Sequence, residues 1–241
     1  KTIALAQKAD HLYALYFAMG PSRTLVDLIP VAKRYGMPIA LRQLKLYSSR
    51  DKWQERIAEA NELIRESVTA DQVRTVQPKA ILEVGTWSGE RALHMLNLSP
   101  KSKYYGFDLF EDATLQNDRD EHNFKQHYTQ EAVADRLHGF DFVLRKGNTR
   151  ETLASFNEPI DFAWIDGGHS VETIRSDWTN VKRCLTPGAI VLFDDYYFGG
   201  PDTTKYGCNS IVADLKHKVI DIADPVLGGG WVNIVQVFPD A

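Results

Sequence analysis

From Pro78 onward the chain alternates short apolar runs with amphipathic ones, and that alternation constrains the fold more than any other feature. "KAILEVG" (79–85), "KYYGFD" (103–108), "FDFVLRKG" (140–147), "IDFAWID" (160–166) and "AIVLFDD" (189–195) read as buried strands. "ERALHMLNL" (90–98), "TQEAVADRLHG" (129–139) and "SVETIRSDWTNVKRCL" (170–185) read as the helices between them. Strand–helix alternation predicts a Rossmann-like, doubly wound α/β sheet, mostly parallel. "GCNSIVADLKHKV" (207–219) predicts one more helix. "VIDIAD" (219–224) and "WVNIVQVF" (231–238), joined by a turn at "LGGG" (227–230), predict an antiparallel C-terminal edge. The polar stretch 111–127 has no clear period and reads as an irregular insert.

Residues 1–77 read differently. Helices are expected over 2–19, 23–35, 39–47 and 50–68. Ile3, Leu5, Leu12, Leu15, Tyr16 and Met19 are apolar in the first, and Ser22 is placed to cap the second. Trp53, Ile57, Ala60 and Ile64 share a face of the fourth. The predicted division is a helical region, 1–77, before an α/β domain, 78–241. The helical region holds 12 basic and 8 acidic residues, the remainder 16 and 24. A solvated helical surface accounts for that excess; contact with something anionic is the alternative.

No apolar run approaches the ~20 residues that span a bilayer. No signal peptide is visible, and a start at Lys1 points to a trimmed or processed N-terminus. Cys184 and Cys208 match no zinc spacing and form no disulfide framework, so the expected compartment is the cytoplasm.

Ligands in open α/β sheets bind beyond the carboxyl ends of the strands. Here those ends are Glu83-Val84-Gly85, Asp108, Gly147-Asn148, Asp166 and Asp194-Asp195. Gly85 and Gly89 bracket a strand-to-helix turn where backbone can approach a ligand. Trp87 and Glu90 break the dinucleotide spacing, and Glu90 at the helix start would repel a pyrophosphate, which argues against NAD. Asp108, about 20 residues beyond the turn, can accept hydrogen bonds from both ribose hydroxyls of an adenosine.

The ordered set "ILEVGTWSGERAL", "GFDLFED", "KGNTRETL", "WIDGGHS" and "LTPGAIVLFDDY" resembles the class I S-adenosylmethionine (SAM) methyltransferases, type 24 group, over roughly 78–240. With Trp87 at the middle of the first motif, it is similar to the metal-dependent small-molecule O-methyltransferases of the catechol, caffeoyl-CoA and antibiotic-sugar types. The resemblance implies that Glu83, Gly85, Thr86, Ser88 and Gly89 surround the methionine part of SAM, with Ser88 on its carboxylate. It implies that Asp108 holds the ribose, that Leu109 and Phe110 lie beside the adenine, and that Asn148 and Thr149 lie near the adenine edge. Asp166 is expected close to the cofactor.

Asp166, Asp194 and Asp195 end adjacent strands. Three converging carboxylates repel unless a cation sits between them, and a hard divalent ion, Mg²⁺ best, fits oxygen ligands. The 28-residue separation of Asp166 and Asp194 is similar to the family's metal triad. Alternatively, Asp166 only neighbours SAM and the 194–195 pair is solvated. His169 is the candidate general base, with a reference pKa near 6.5. It stands where the catechol enzymes carry a lysine. The position of the antibiotic-sugar enzymes' proposed base is Gly168 here. The other readings are that His169 caps the following helix or binds the cofactor.

Tyr196, Tyr197, Phe198 and Tyr206, with Trp87, Trp164 and Trp231, could line an acceptor pocket. His122, His127 and Tyr128 could cover it. "ALYFAMGPSRTLVDLIPVAKRYG" and "LYSSRDKWQER" resemble helix-turn-helix segments of phage terminase small subunits, with Tyr47 at a usual tryptophan position and Pro38 in the turn. The competing reading is a lid or dimerisation element. The expected activity is O-methylation of a hydroxylated small molecule. Metal-independent N- or O-methylation and a nucleic-acid-directed enzyme are the alternatives; no N/D-P-P-Y/F motif or Pro-Cys nucleophile is present.

Overall fold

Four consecutive buried residues, Ile81 to Val84, make β1 (Ala80–Val84) a strand covered on both faces, as a central parallel strand requires. The computed structural model describes residues 2–18, 25–50, 52–123, 125–225 and 230–239. Met19, Ser22 and the expected turn at 227–229 lie outside the described residues, as do the side chains of Ile3, Leu5, Ile57 and Ala60.

Helices α1 (Thr2–Ala18), α2 (Leu25–Arg34), α3 (Leu41–Arg50) and α4 (Trp53–Val76) precede β1. Then follow α5 (Glu90–Leu98), β2 (Lys103–Asp108), a 3-10 turn (Phe110–Asp112), α6 (Leu115–Glu121), α7 (Gln130–Arg136) and β3 (Asp141–Lys146). The chain continues through α8 (Thr149–Thr152), β4 (Ile160–Ile165), α9 (Val171–Lys182), β5 (Leu185–Phe198), α10 (Asn209–Val212), β6 (His217–Pro225) and β7 (Trp231–Val237). The seven-stranded sheet has the order β3-β2-β1-β4-β5-β7-β6. β1 to β5 pair in parallel, and β7 is antiparallel to both β5 and β6. This is the expected Rossmann-like sheet with its antiparallel edge.

Period-two alternation divides the strands between two cores. Leu82, Val84, Phe107 and Ile165 pack with Ile174, Trp178 and Val181 of α9. Ile81, Tyr104, Phe162 and Trp164 pack with Ala92 and Met95 of α5 and Val73 of α4. The first helices close a third core of their own around Leu12, Tyr16, Leu28, Leu44, Tyr47 and Trp53. Tyr47 is buried there, and α4 joins that core to the sheet.

Two expectations need correction. The helix foreseen over 207–219 is only α10, because His217, Lys218 and Val219 pair with Val237, Gln236 and Val235 of the buried strand β7. Tertiary pairing overrides local helix preference there. The stretch 111–127 is not irregular: Thr114 caps α6 through a capping box in which Asn117 replaces the usual Glu or Gln. None of the described helices is long and apolar enough to cross a membrane. Cys184 and Cys208 are buried free thiols.

Candidate active site

The strand ends are locked together by backbone. The Gly85 N–H donates to the Phe107 carbonyl (2.8 Å), and the Asp166 N–H donates to the Val84 carbonyl (2.9 Å). Gly85 turns the chain with φ +86°, a conformation that glycine adopts without steric cost. Asp108 fixes the far side of the turn. Its Oδ2 accepts from the Trp87 N–H (2.7 Å) and its Oδ1 from the Phe110 N–H (2.8 Å). A carboxylate has about four lone-pair sites, so Asp108 keeps acceptor capacity.

Beyond these ends lies a cavity of about 480 Å³. Gly85, Asp108, Leu109, Asn148 and Thr149, five of the residues expected around the cofactor, line it. Asn148 also caps α8, its side chain accepting from the Arg150 N–H (3.0 Å). Gly167 and Gly168 form another wall. Asp118, Glu121, Asn123, His127 and Tyr128 also line the cavity. His127 Nε2 is 2.8 Å from Asp118 Oδ1. Trp87 lines the cavity edge-on to Tyr128, with centroids 5.6 Å apart.

Other predicted cofactor residues lie beneath this surface. Glu83, Thr86 and Ser88 are buried and do not line the cavity. Ser88 Oγ accepts the Glu90 N–H (3.3 Å) at the start of α5. Gly89 packs against Val133, and Phe110 belongs to the core beside α5. Burial pushes the Glu83 carboxyl up to about 7, although Arg91 and the Tyr104 hydroxyl pull the other way.

Asp166, His169 and Asp195 come together: one ligand atom from each lies within 4.8 Å of the others. His169 Nε2 is 3.6 Å from Asp195 Oδ2. The Tyr197 hydroxyl donates to Asp195 Oδ1 (2.7 Å). Burial raises the Asp195 carboxyl to about 6 against the pull of His169. Burial also acts to raise Asp166, but Arg91, Lys125 and His169 outweigh it and hold that carboxyl below its usual value.

Asp194 does not join this group. Its Oδ2 accepts from Arg65 Nε (3.2 Å) and its Oδ1 from the Asp195 N–H (2.9 Å). Successive strand residues face opposite ways, so Asp194 and Asp195 cannot both reach one ion from a regular strand. Asp195 has φ +62°, and the β5–β7 register shifts between Phe193 and Tyr196. His169 does not cap α9; Ser170 does, accepting the Thr173 N–H (3.2 Å). Gly168 is explained by its neighbour, since a Cβ there would come 2.6 Å from Glu121 Oε2.

The aromatic set does not form one pocket. Trp164 is core, Phe198 stacks on Trp231 with centroids 5.8 Å apart, and His122 packs on Tyr206 at 4.3 Å. Among the described residues, none of 1–77 lines the cavity. Sequence reasoning missed Arg65, Arg91 and Glu121. Glu121 accepts from the Ser170 N–H (2.7 Å) and the Thr173 hydroxyl (2.6 Å), pinning the insert to α9. All three lie outside the strand ends, and only the packing reveals them.

Residues 82–196, just under half of the chain, match the family described as "Methyltransferase domain". An O-methyltransferase from Bacillus cereus, solved in complex with SAH, superposes with a TM-score of 0.50 at 14% identity, covering 76% of this chain and 89% of that one. Cofactor-bound Rv0187 from MTB gives 0.53 at 13% identity, over 76% and 88%. An O-methyltransferase family protein from Burkholderia thailandensis gives 0.52 at 10% identity, over 78% and 58%. These likenesses establish a shared fold. No curated protein sequence matches the chain.

Proposed function

We propose that this chain, whose residues 82–196 match a methyltransferase domain, is a SAM-dependent enzyme that moves the SAM methyl group to a hydroxyl of a small molecule, assisted by a divalent ion. The observation that carries this reading is adjacency. The cavity of Gly85, Asp108 and Asn148 runs into Gly167, and Asp166 of the Asp166–His169–Asp195 group is the preceding residue.

In this reading Asp108 takes the ribose hydroxyls, and Asn148 and Thr149 face the adenine edge. The methyl carbon of a sulfonium is already activated, so the protein chiefly aligns the nucleophile with it. The two carboxylates fit a hard divalent ion such as Mg²⁺ or Mn²⁺ and leave the His169 imidazole for proton transfer. Asp166 and Asp195 would hold it. When bound, such an ion lowers the pKa of a coordinated hydroxyl. His169, with Asp195 beside it, takes up the hydroxyl proton.

The test is methyl transfer from labelled SAM to a panel of hydroxylated small molecules. Activity lost with EDTA, restored by Mg²⁺ or Mn²⁺ and absent in Asp166→Asn, supports the proposal. Transfer indifferent to EDTA removes the ion, and transfer only to amines removes the hydroxyl.

A second reading is favoured by one further observation. Arg42 and Lys45 of α3 and Lys33 and Arg34 of α2 are exposed, α3 carries no acidic residue, and these helices close their own core. That surface suits a polyanion such as DNA. Retarded migration of duplex DNA at low salt, relieved by salt, supports this reading; unretarded DNA opposes it.

A further inference from the structure

We propose that Arg91 is a resident cation of the site, which competes with a divalent ion for Asp166. The inference rests on the ion reading above.

Arg91 lies in the first turn of α5. Its Nη1 is 2.9 Å from Asp166 Oδ2 and 3.4 Å from Glu83 Oε1. Its guanidinium carbon sits 4.4 Å from the centre of the Trp164 ring. The group is therefore wedged between acids at the ends of β1 and β4, over an indole face, with 18% of the side chain exposed. The same Asp166 offers an oxygen to the group formed with His169 and Asp195.

Asp166 has acceptor capacity for both, but each cation weakens the hold of the carboxylate on the other. The Arg91 charge would repel a second cation on Asp166, in a half-buried site that screens less than bulk water does. Glu83 gives Arg91 somewhere to go. By leaning toward Oε1, the guanidinium keeps a carboxylate partner and the Trp164 face while releasing Asp166. Arg91 thus has two perches, Asp166 when the ion is out and Glu83 when it is in, and a ligand shifts such an equilibrium only by its difference in affinity for the two states.

This predicts two substitutions with opposite signs, read by direct binding of Mn²⁺ to the full chain, followed through the electron paramagnetic resonance of the free ion. Arg91→Met removes the competitor and tightens Mn²⁺ binding by about tenfold, the scale of one lost charge contact. Glu83→Gln removes the second perch, leaves Arg91 on Asp166 and weakens Mn²⁺ binding severalfold. SAH binding reports that each variant is folded, and Asp166→Asn serves as the site control. If Arg91→Met does not fold, the Glu83→Gln arm decides alone. Unchanged or weaker Mn²⁺ binding in a folded Arg91→Met protein, or unchanged or tighter binding in Glu83→Gln, overturns the role of Arg91 and leaves the ion reading standing. No Mn²⁺ bound by either the native protein or Arg91→Met at millimolar ion overturns both.

Discussion

The backbones of Gly85 and Asp166 are in contact: a Cβ built on Gly85 would lie 1.8 Å from the Asp166 carbonyl oxygen. The glycine turn after β1 and the acid after β4 are therefore one structural unit. Gly85→Ala must move one of them, and it also forces a side chain into φ +86°. The expected cost is about 2–4 kcal/mol of stability, with loss of SAH binding. Chemical denaturation and calorimetry measure both. An alanine variant of native stability and native affinity would show that the two segments are not tightly joined.

Arg65 and Asp194 tie α4 to β5, with side chains only 10% and 9% exposed. Removing one partner of a buried pair strands the other charge, at about 3–5 kcal/mol. Arg65→Met should therefore be strongly destabilised, and Arg65→Met with Asp194→Asn should recover much of the loss. A double-mutant cycle by urea denaturation reads the coupling. Additive single effects would mean that the pair contributes little as a pair.

Burial raises the Asp177 carboxyl to about 7, although Thr149 and Arg150 pull the other way. The folded protein therefore holds this proton at pH values where the unfolded chain has lost it. Between about pH 4 and pH 7 the native state binds more protons, so stability falls as pH rises. The fall from this group is of order 4 kcal/mol and ends above about pH 7, where both states are ionised. Asp177→Asn should flatten the dependence and raise stability at pH 8. Denaturation midpoints across pH 4–8 that stay parallel in native and variant proteins would contradict this.

Much of the fold was legible because its signals are local. The limits of α5 and β2 follow from the apolar pattern alone, as "ERALHMLNL" and "KYYGFD" coincide with the observed elements. The helix expected over 207–219 ends early because His217 to Val219 pair with β7, a partner distant in sequence. At the site, strand-end position located Gly85, Asp108, Asn148, Asp166 and Asp195, since topology places every strand end on one edge. It could not tell which way a side chain turns. Asp194 and Asp195 are neighbours in sequence, yet one faces Arg65 and the other His169. Arg91, which holds Asp166, could not be found from strand ends at all.

The central claim is that the cavity beyond β1, β2 and β3 receives an adenosyl cofactor through Asp108. Calorimetric titration with SAH, comparing the native protein with Asp108→Ala, tests it most directly. The account predicts saturable binding at one site per chain, weakened at least about tenfold in the variant, the scale of a lost charged hydrogen bond. Equal affinity in the two proteins, or no binding by the native chain, would contradict it.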